Sequence, residues 1–201
     1  MSEFFTALVD QARAFSVWEL IAVATAIGYL LLAIRQNIWC WACAAISTAI
    51  YVYLFVDARL YMESVLNVFY LGMAIYGWYV WYFSRTDGHE LPVTVWPVNR
   101  HALAIAVILG ISAINGFMLE RYTEAAYPYV DSATTWGAIW ATYLVAQKVL
   151  ENWWYWLVID SASIVIYWHR DLELTALLFI TYVAIIPFGY LSWRRSMTQI
   201  T

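Results

Sequence analysis

The sequence predicts an all-α integral membrane protein that crosses the bilayer with seven transmembrane helices. Of its 201 residues, 64% are hydrophobic and only 12% are charged. Soluble globular domains are roughly 45–50% apolar and about 25% charged. A soluble core of this size could not enclose so much apolar surface, so the composition excludes a soluble domain, a disordered chain and a disulfide scaffold.

Seven apolar stretches approach the roughly 20 residues that a helix needs to cross a bilayer. Polar breaks separate neighbouring stretches, for example Arg35-Gln36-Asn37 after the first and His169-Arg170-Asp171 after the sixth. Longer polar segments, 84–101 and 120–131, flank the fourth stretch. We treat residues 1–201 as one transmembrane domain, and the predicted spans cover 16–34, 38–56, 60–83, 102–120, 132–150, 152–168 and 172–193.

The distribution of basic residues predicts the orientation of the chain. An odd number of spans places the two termini on opposite sides of the bilayer. Six of the ten basic residues then lie on the C-terminal side and four on the N-terminal side. Cytoplasmic loops carry an excess of Lys and Arg, which predicts an extracytoplasmic N-terminus and a cytoplasmic C-terminus.

The chain carries a weak internal repeat at an offset of 112 residues. This offset aligns Leu60 with Leu172, Tyr70 with Tyr182, Gly77 with Gly189, Trp81 with Trp193, and Trp41 with Trp153. Two groups of three closely spaced spans, 16–83 and 132–193, are then parallel repeats joined by the single span 102–120. Transporters are commonly built from such repeats, with substrate sites near the membrane midplane, so the repeat favours transport.

The sixth span carries the most informative residues. Trp153, Trp156 and Asp160 share one helix face at i, i+3 and i+7, and Ser163 and Tyr167 extend it. An ionised carboxylate near mid-membrane costs about 2.5–3.5 kcal/mol on insertion scales, so it is expected to face the bundle interior. Together with two indoles it forms a wall suited to a flat organic cation. Alternatively, a protonated Asp160 bonds to a neighbouring helix and the tryptophans are packing residues.

A second candidate face lies on the third span, where Asn67 and Tyr70 offer hydrogen bonds and Trp78 offers a stacking surface. Close helix packing with aromatic residues at the membrane interface is the alternative, and for Trp81 we favour this interfacial position. Ser47, which is polar and central on the second span, is a further candidate for the wall of a site.

Other classes of function find little support. The histidines lie at loops or helix ends, and Cys40 and Cys43 form a C-x-x-C without a redox or zinc context. We therefore expect no enzyme activity, no metal and no cofactor. The sequence has no basic patch for nucleic acid and no glycine-rich phosphate loop. A membrane module that captures or senses a substrate without carrying it remains a hypothesis from another class.

Three strings resemble the PnuC family of bacterial vitamin transporters: residues 63–70, 76–81 and 151–160. The resemblance covers nearly the whole chain. It implies two three-helix repeats joined by a linking helix, as in SWEET-like transporters, and a homotrimer in the bacterial inner membrane. It also implies facilitated diffusion, with nicotinamide riboside as the best-known substrate and phosphorylation trapping it inside the cell.

The family's W-x-x-W-x-x-x-N pattern falls on Trp153, Trp156 and Asp160, and its substrate-facing position on the third span falls on Asn67. Riboside carriers are expected to have Asn and Gln at these two polar positions. We therefore predict a dephosphorylated vitamin precursor, nicotinamide riboside first and thiamine as the alternative, since both are flat cations that suit Asp160. Neutral riboflavin suits a carboxylate less well, and a phosphate would require Arg or Lys in the site.

Overall fold

The structure, a computed structural model, describes residues 16–57, 59, 61–84, 91–123, 126–169 and 173–198. Within these ranges the chain forms seven helices: α1 Val17–Ile34, α2 Trp39–Asp57, α3 Tyr61–Phe83, α4 Val98–Tyr122, α5 Pro128–Ala146, α6 Asn152–His169 and α7 Glu173–Thr198. The chain is therefore all-helical, as the sequence predicts. The loop segments 85–90 and 170–172 and the aligned pair Leu60 and Leu172 lie outside the described residues.

The helices form two compact units. The first unit, Met1–Glu90, holds α1, α2 and α3, and within it α2 packs against both of the others. The second unit, Leu91–Thr201, holds the remaining four helices, which pack in sequence order, α4 on α5, α5 on α6 and α6 on α7. The helix predicted to link the repeats is thus packed against the second group.

Three helices differ from the predicted spans by more than one residue at their ends, and one of them is α7, which runs to Thr198 rather than to 193. The helix α4 covers 98–122 rather than 102–120, because it starts directly after Pro97 and includes polar residues that apolarity alone leaves out. The helix α5 covers 128–146 rather than 132–150, because Pro128 occupies its first turn, where the missing N–H costs nothing. At its other end Lys148 adopts φ 49°, which ends the helix.

The turns that follow α1 and α5 have the same geometry. After α1 the N–H of Gln36 bonds to Ala33 O at 3.0 Å, and that of Asn37 bonds to Leu32 O at 2.9 Å. After α5 the bonds run from Lys148 to Val145 and from Val149 to Leu144, again at 3.0 and 2.9 Å. Both turns are Schellman motifs. Gln36, at φ 54°, and Lys148 hold their left-handed positions without glycine.

A short extended segment joins α4 to the α5–α6 turn. The N–H of Thr94 donates to Lys148 O at 3.0 Å, and the N–H of Leu150 donates to Thr94 O at 2.8 Å. These bonds form an isolated parallel bridge between Thr94 and Val149. The start of α4 is therefore tied to the start of α6 by backbone hydrogen bonds.

Length and apolar composition mark four of the described helices as membrane-spanning: α1, α2, α4 and residues 175–198 of α7. Large apolar side chains on these helices, such as Leu103 and Phe188, are well exposed in the isolated chain, as expected for surfaces that contact lipid. The other three helices, α3, α5 and α6, carry most of the polar and aromatic side chains considered as site residues.

Close packing of α4 on α5 depends on Gly116. A Cβ at this position would lie 2.9 Å from the Tyr129 Cα, and backbone cannot move aside as a flexible side chain can. We predict that Gly116→Ala destabilises the protein by about 1–3 kcal/mol, the usual cost of overpacking. Gly110→Ala on the same helix is the matched control, because a Cβ there meets nothing within 4 Å. The melting temperature of the detergent-solubilised protein measures both, and equal values for the two variants would contradict the prediction.

Candidate substrate site

The centre of α6 holds a buried carboxylate. Asp160 is the ninth of the 18 residues of this helix, and only 4% of it is exposed. Ser163, three residues later, is also buried. Within the described part of the chain, the Asp160 carboxylate has no hydrogen bond and no ion pair. Because burying an unpartnered charge is expensive, this residue is the leading candidate for a functional group.

Neighbouring helices define the surroundings of this face. Ile159 packs into a notch at Gly137 of α5, where a Cβ would meet Ile159 Cδ1 at 3.2 Å. Asp160 lies about 100° around the helix from Ile159 and within about 20° of Trp153, which contacts α7. Trp156 lies between these directions and is half-buried. The face predicted from the sequence therefore turns toward the interior of the second unit.

The structure assigns different surroundings to the aromatic residues of that face. Trp153 packs against Gly189 and contacts the Trp193 ring edge-on at a centroid distance of 5.6 Å. Tyr167 stacks on Phe179 of α7, with ring centroids 5.3 Å apart and planes 16° apart. Trp156 is thus the aromatic residue nearest along the face to Asp160 that has no described ring contact. The substrate-binding role of all three stays a prediction.

The first unit holds the other predicted site residues. On α3, Asn67 and Tyr70 are half-buried and lie one helical turn apart. Trp78 contacts the exposed Trp39 edge-on at 5.4 Å. The prediction that Trp81 belongs to the interfacial aromatic belt is wrong, because its ring is buried inside the first unit, 5.5 Å from that of Trp41.

Ser47 is buried on α2 and donates its hydroxyl proton to Ala22 O of α1 at 2.9 Å. This bond ties the first two helices together and satisfies the hydroxyl without a ligand. The observed role of Ser47 is in helix packing. Its role in the wall of a substrate site stays a prediction.

Sequence reasoning missed a polar stripe on α5. Ser132, Trp136 and Trp140 recur at i, i+4 and i+8, which places them on one face. Ser132 is 2% exposed, and neither its Oγ nor Trp136 Nε1 has a hydrogen-bond partner among the described residues. The W-x-x-x-W spacing preceded by a serine is the signal that could have found this stripe.

A second missed group lies where α6 begins. The carboxylate of Glu151 accepts the backbone N–H of Trp96 at 3.3 Å and lies 3.8 Å from His101 Nε2. His101 Nδ1 and the Tyr155 hydroxyl form a hydrogen bond of 3.0 Å. The group joins α4 to the first turns of α6, so it holds the end of the helix that carries Asp160.

We predict that Tyr155→Phe destabilises the protein by about 0.5–1.5 kcal/mol, the usual net value of one hydrogen bond. The phenyl ring keeps the packing of the tyrosine but leaves His101 Nδ1 without its hydrogen-bond partner. Tyr122→Phe is the control, since that residue is exposed at the end of α4. The melting temperatures of both variants test the prediction, and an unchanged value for Tyr155→Phe would show that the His101 bond contributes nothing.

Apolar helices and a buried carboxylate are typical of a membrane transporter, and comparison with known proteins supports this class. The family model for the nicotinamide mononucleotide transporter matches residues 16–195. The chain belongs to this family.

Individual relatives support the same assignment. The chain is 25% identical to the nicotinamide riboside transporter PnuC of Escherichia coli, over 89% of this chain and 86% of that protein. It is 23% identical to the riboflavin/roseoflavin transporter RibM of Streptomyces davaonensis, over 85% and 82% of the two chains. The crystal structure of the vitamin B3 transporter PnuC superposes with a TM-score of 0.72 at 20% identity, covering 98% of this chain and 88% of that one. The structural match shows a common fold.

Proposed function

We propose that this transporter takes up a dephosphorylated, positively charged vitamin precursor, with nicotinamide riboside as the first choice. The observation that carries the proposal is the buried Asp160 carboxylate, which lacks a partner in the described structure. A cationic substrate supplies the missing counter-charge when it binds. The Asp160 carboxylate then has no permanent ion-pair partner within the protein, so no such ion pair has to be broken in each transport cycle.

The residues around Asp160 suit a flat aromatic cation. Trp156 lies on the same helix face, about one turn away, and a cation over the face of an indole gains up to about 2 kcal/mol when desolvated. The nicotinamide ring of the riboside is both planar and positively charged. We propose that Trp156 stacks on this ring while Asp160 neutralises it.

The distribution of basic residues argues against a phosphorylated substrate. A phosphate is usually bound by Arg or Lys. In the described helices, the arginines lie near the ends, as do Arg100 and Arg121 of α4 and Arg194 and Arg195 of α7. Lys148 is buried, but it lies in the turn after α5. We infer that the substrate enters without its phosphate and is trapped inside the cell by phosphorylation.

Thiamine is the second candidate, because it too is a flat aromatic cation. The carboxylate at position 160 favours it, since riboside carriers of the family are expected to have an uncharged amide there. Riboflavin, which the relative from Streptomyces davaonensis is named for, is neutral and would leave Asp160 without a counter-charge. It ranks third for this reason.

We propose that the chain consists of two parallel repeats, 16–83 and 132–193, joined by the linking helix. Support comes from contacts that recur at the 112-residue offset: the Schellman turns after α1 and α5, and the tryptophan pairs Trp41–Trp81 and Trp153–Trp193. Transport is by facilitated diffusion. The protein is a homotrimer of the bacterial inner membrane with a periplasmic N-terminus and a cytoplasmic C-terminus.

The charge of Asp160 is tested by Asp160→Asn. We expect this variant to fold at least as well as the wild type, since a buried charge has been removed. Its affinity for thiamine should fall at least about tenfold, because a hydrogen-bonded charge pair contributes about 1.5–3 kcal/mol. Nicotinamide riboside should lose less, because riboside carriers of the family are expected to have an amide at this position. Isothermal titration of the purified protein measures this. Asp57→Asn, at the exposed end of α2, is the matched control, and an unchanged Kd for Asp160→Asn would sink the charged-site proposal.

Transport of the substrate is tested by measuring its uptake into proteoliposomes. We expect saturable uptake of labelled nicotinamide riboside that stops when the concentrations on the two sides are equal, since facilitated diffusion has no energy source. Uptake of thiamine alone would transfer the proposal to the second candidate. Tight binding without any uptake would favour the capturing or sensing module instead.

A further inference from the structure

A buried hydroxyl lies one turn beyond the Asp160 carboxylate on α6. Only 6% of Ser163 is exposed, and among the described residues its hydroxyl makes no hydrogen bond. Its Oγ is not completely covered by protein atoms, and neither are the Asp160 carboxylate oxygens, whereas the Oγ atoms of Ser112 and Ser132 are sealed. Asp160 and Ser163 therefore both have oxygen atoms that a ligand can reach.

Several other buried hydroxyls of the described helices bond to the backbone. Ser47 and Ser64 donate to carbonyl groups of neighbouring helices, and Thr142 donates to a carbonyl one turn back on its own helix. Such bonds satisfy a hydroxyl where water is scarce. Ser163 makes no bond of this kind, which leaves its hydroxyl available to a ligand.

The aligned positions of the first unit have different contacts. At the 112-residue offset, Asp160 aligns with Thr48 and Ser163 with Tyr51. The Thr48 hydroxyl bonds to the backbone of its own helix at 2.8 Å, and the Tyr51 ring stacks on Phe55 with centroids 5.5 Å apart. The pair of a free carboxylate and a free hydroxyl is therefore a feature of α6 and not of the repeat.

Helix geometry gives the order of the side chains along the candidate face. Asp160 lies about 6 Å along α6 from Trp156, and Ser163 lies about 4.5 Å further on. The directions of Asp160 and Ser163 differ by about 60° around the helix axis. A planar cation that stacks on Trp156 and places its charge at Asp160 would extend its remaining atoms toward Ser163.

Both candidate cations carry a hydroxyl close to the charged ring. In nicotinamide riboside the ribose is attached to the charged ring nitrogen, and in thiamine a hydroxyethyl group is attached to the charged thiazolium ring. A serine hydroxyl can donate to such a group or accept from it. A site that hydrogen-bonds a substrate hydroxyl rejects the analogue that lacks it, because the buried polar group is then left unpaired.

We propose that Ser163 is a specificity-determining residue, which hydrogen-bonds the substrate hydroxyl next to the charged ring. This inference rests on the proposed function. It adds a residue outside the W-x-x-W-x-x-x-N pattern of the family, which ends at Asp160. Asp160 then selects for the charge of the ring, and Ser163 selects for the hydroxyl group attached to it.

The test compares the wild type with Ser163→Ala and with the matched control Ser161→Ala, whose serine is exposed on the opposite side of α6. Each purified full-length protein is titrated with nicotinamide riboside and with 1-methylnicotinamide, which keeps the charged ring but has no ribose. If the wild type binds thiamine instead, the pair is thiamine and the analogue with an ethyl group in place of hydroxyethyl. Melting temperatures are recorded in parallel, and Ser163→Ala should keep the wild-type value because it removes only one oxygen atom.

We expect the wild type to bind the cation with the hydroxyl at least about tenfold more tightly than the analogue. Ser163→Ala should weaken binding of the cation with the hydroxyl by about three- to tenfold, the effect of one neutral hydrogen bond. It should change the Kd of the analogue by less than about twofold, and Ser161→Ala should change neither Kd. If the analogue binds too weakly to titrate, the difference between the two serine variants decides.

Two outcomes would overturn the inference. An unchanged Kd of Ser163→Ala for the cation with the hydroxyl would show that no hydrogen bond is made there. Equal losses for this cation and for the analogue would assign Ser163 to the packing of the site. Failure of the proposed function looks different, because in that case the wild type would bind neither nicotinamide riboside nor thiamine.

Discussion

The central physical constraint on this protein is the cost of burying a carboxylate in the middle of a helix. Asp160 is buried on α6, and no described residue pairs with it. In a bilayer such a group either takes up a proton or acquires a positive partner. The proposed function gives the chain a reason to keep it, because a cationic substrate would be that partner. Several contacts described for the second unit hold α6 in place.

Three sets of contacts hold α6. Its first turn follows a Schellman turn and is tied by backbone hydrogen bonds to the segment before α4. The side chains of Glu151 and Tyr155 contact Trp96 and His101 from the same end. Along its length, Ile159 packs at Gly137 of α5 and Trp153 packs at Gly189 of α7. Such contacts hold side chains in place before the substrate binds. Binding then loses less free energy to the ordering of those side chains.

Composition and periodicity were sufficient to predict the seven helices and the face of α6 that carries Asp160. A long apolar stretch indicates a helix that is surrounded by lipid, and the helical period of 3.6 residues indicates which residues share a face. The ends of α4 and α5 were less predictable, because they are set by Pro128 and by a left-handed Lys148 rather than by apolarity. The position of Trp81 was predicted wrongly for a related reason. Its distance along the helix suggested the membrane interface, but the indole of Trp41 covers it.

Contacts between helices were the least accessible to sequence reasoning. Periodicity places Trp153 and Trp156 on one face, but it does not show that a glycine of α7 receives one of them. Likewise His101 reads as a residue near a helix start, whereas its hydrogen bond to Tyr155 spans 54 residues of sequence. Such contacts depend on which helices are neighbours. In this sequence the only indication of neighbouring helices is the weak internal repeat.

Recognition of a positive charge by Asp160 can be measured most directly without any mutation. The wild-type protein is titrated with nicotinamide riboside and with its 1,4-dihydro form, which is nearly the same size and shape but carries no charge on the ring. We predict that the cation binds at least about tenfold more tightly, the difference expected for losing one charge-assisted contact. Equal affinity for the two forms would contradict the role of Asp160 as the counter-charge of the substrate.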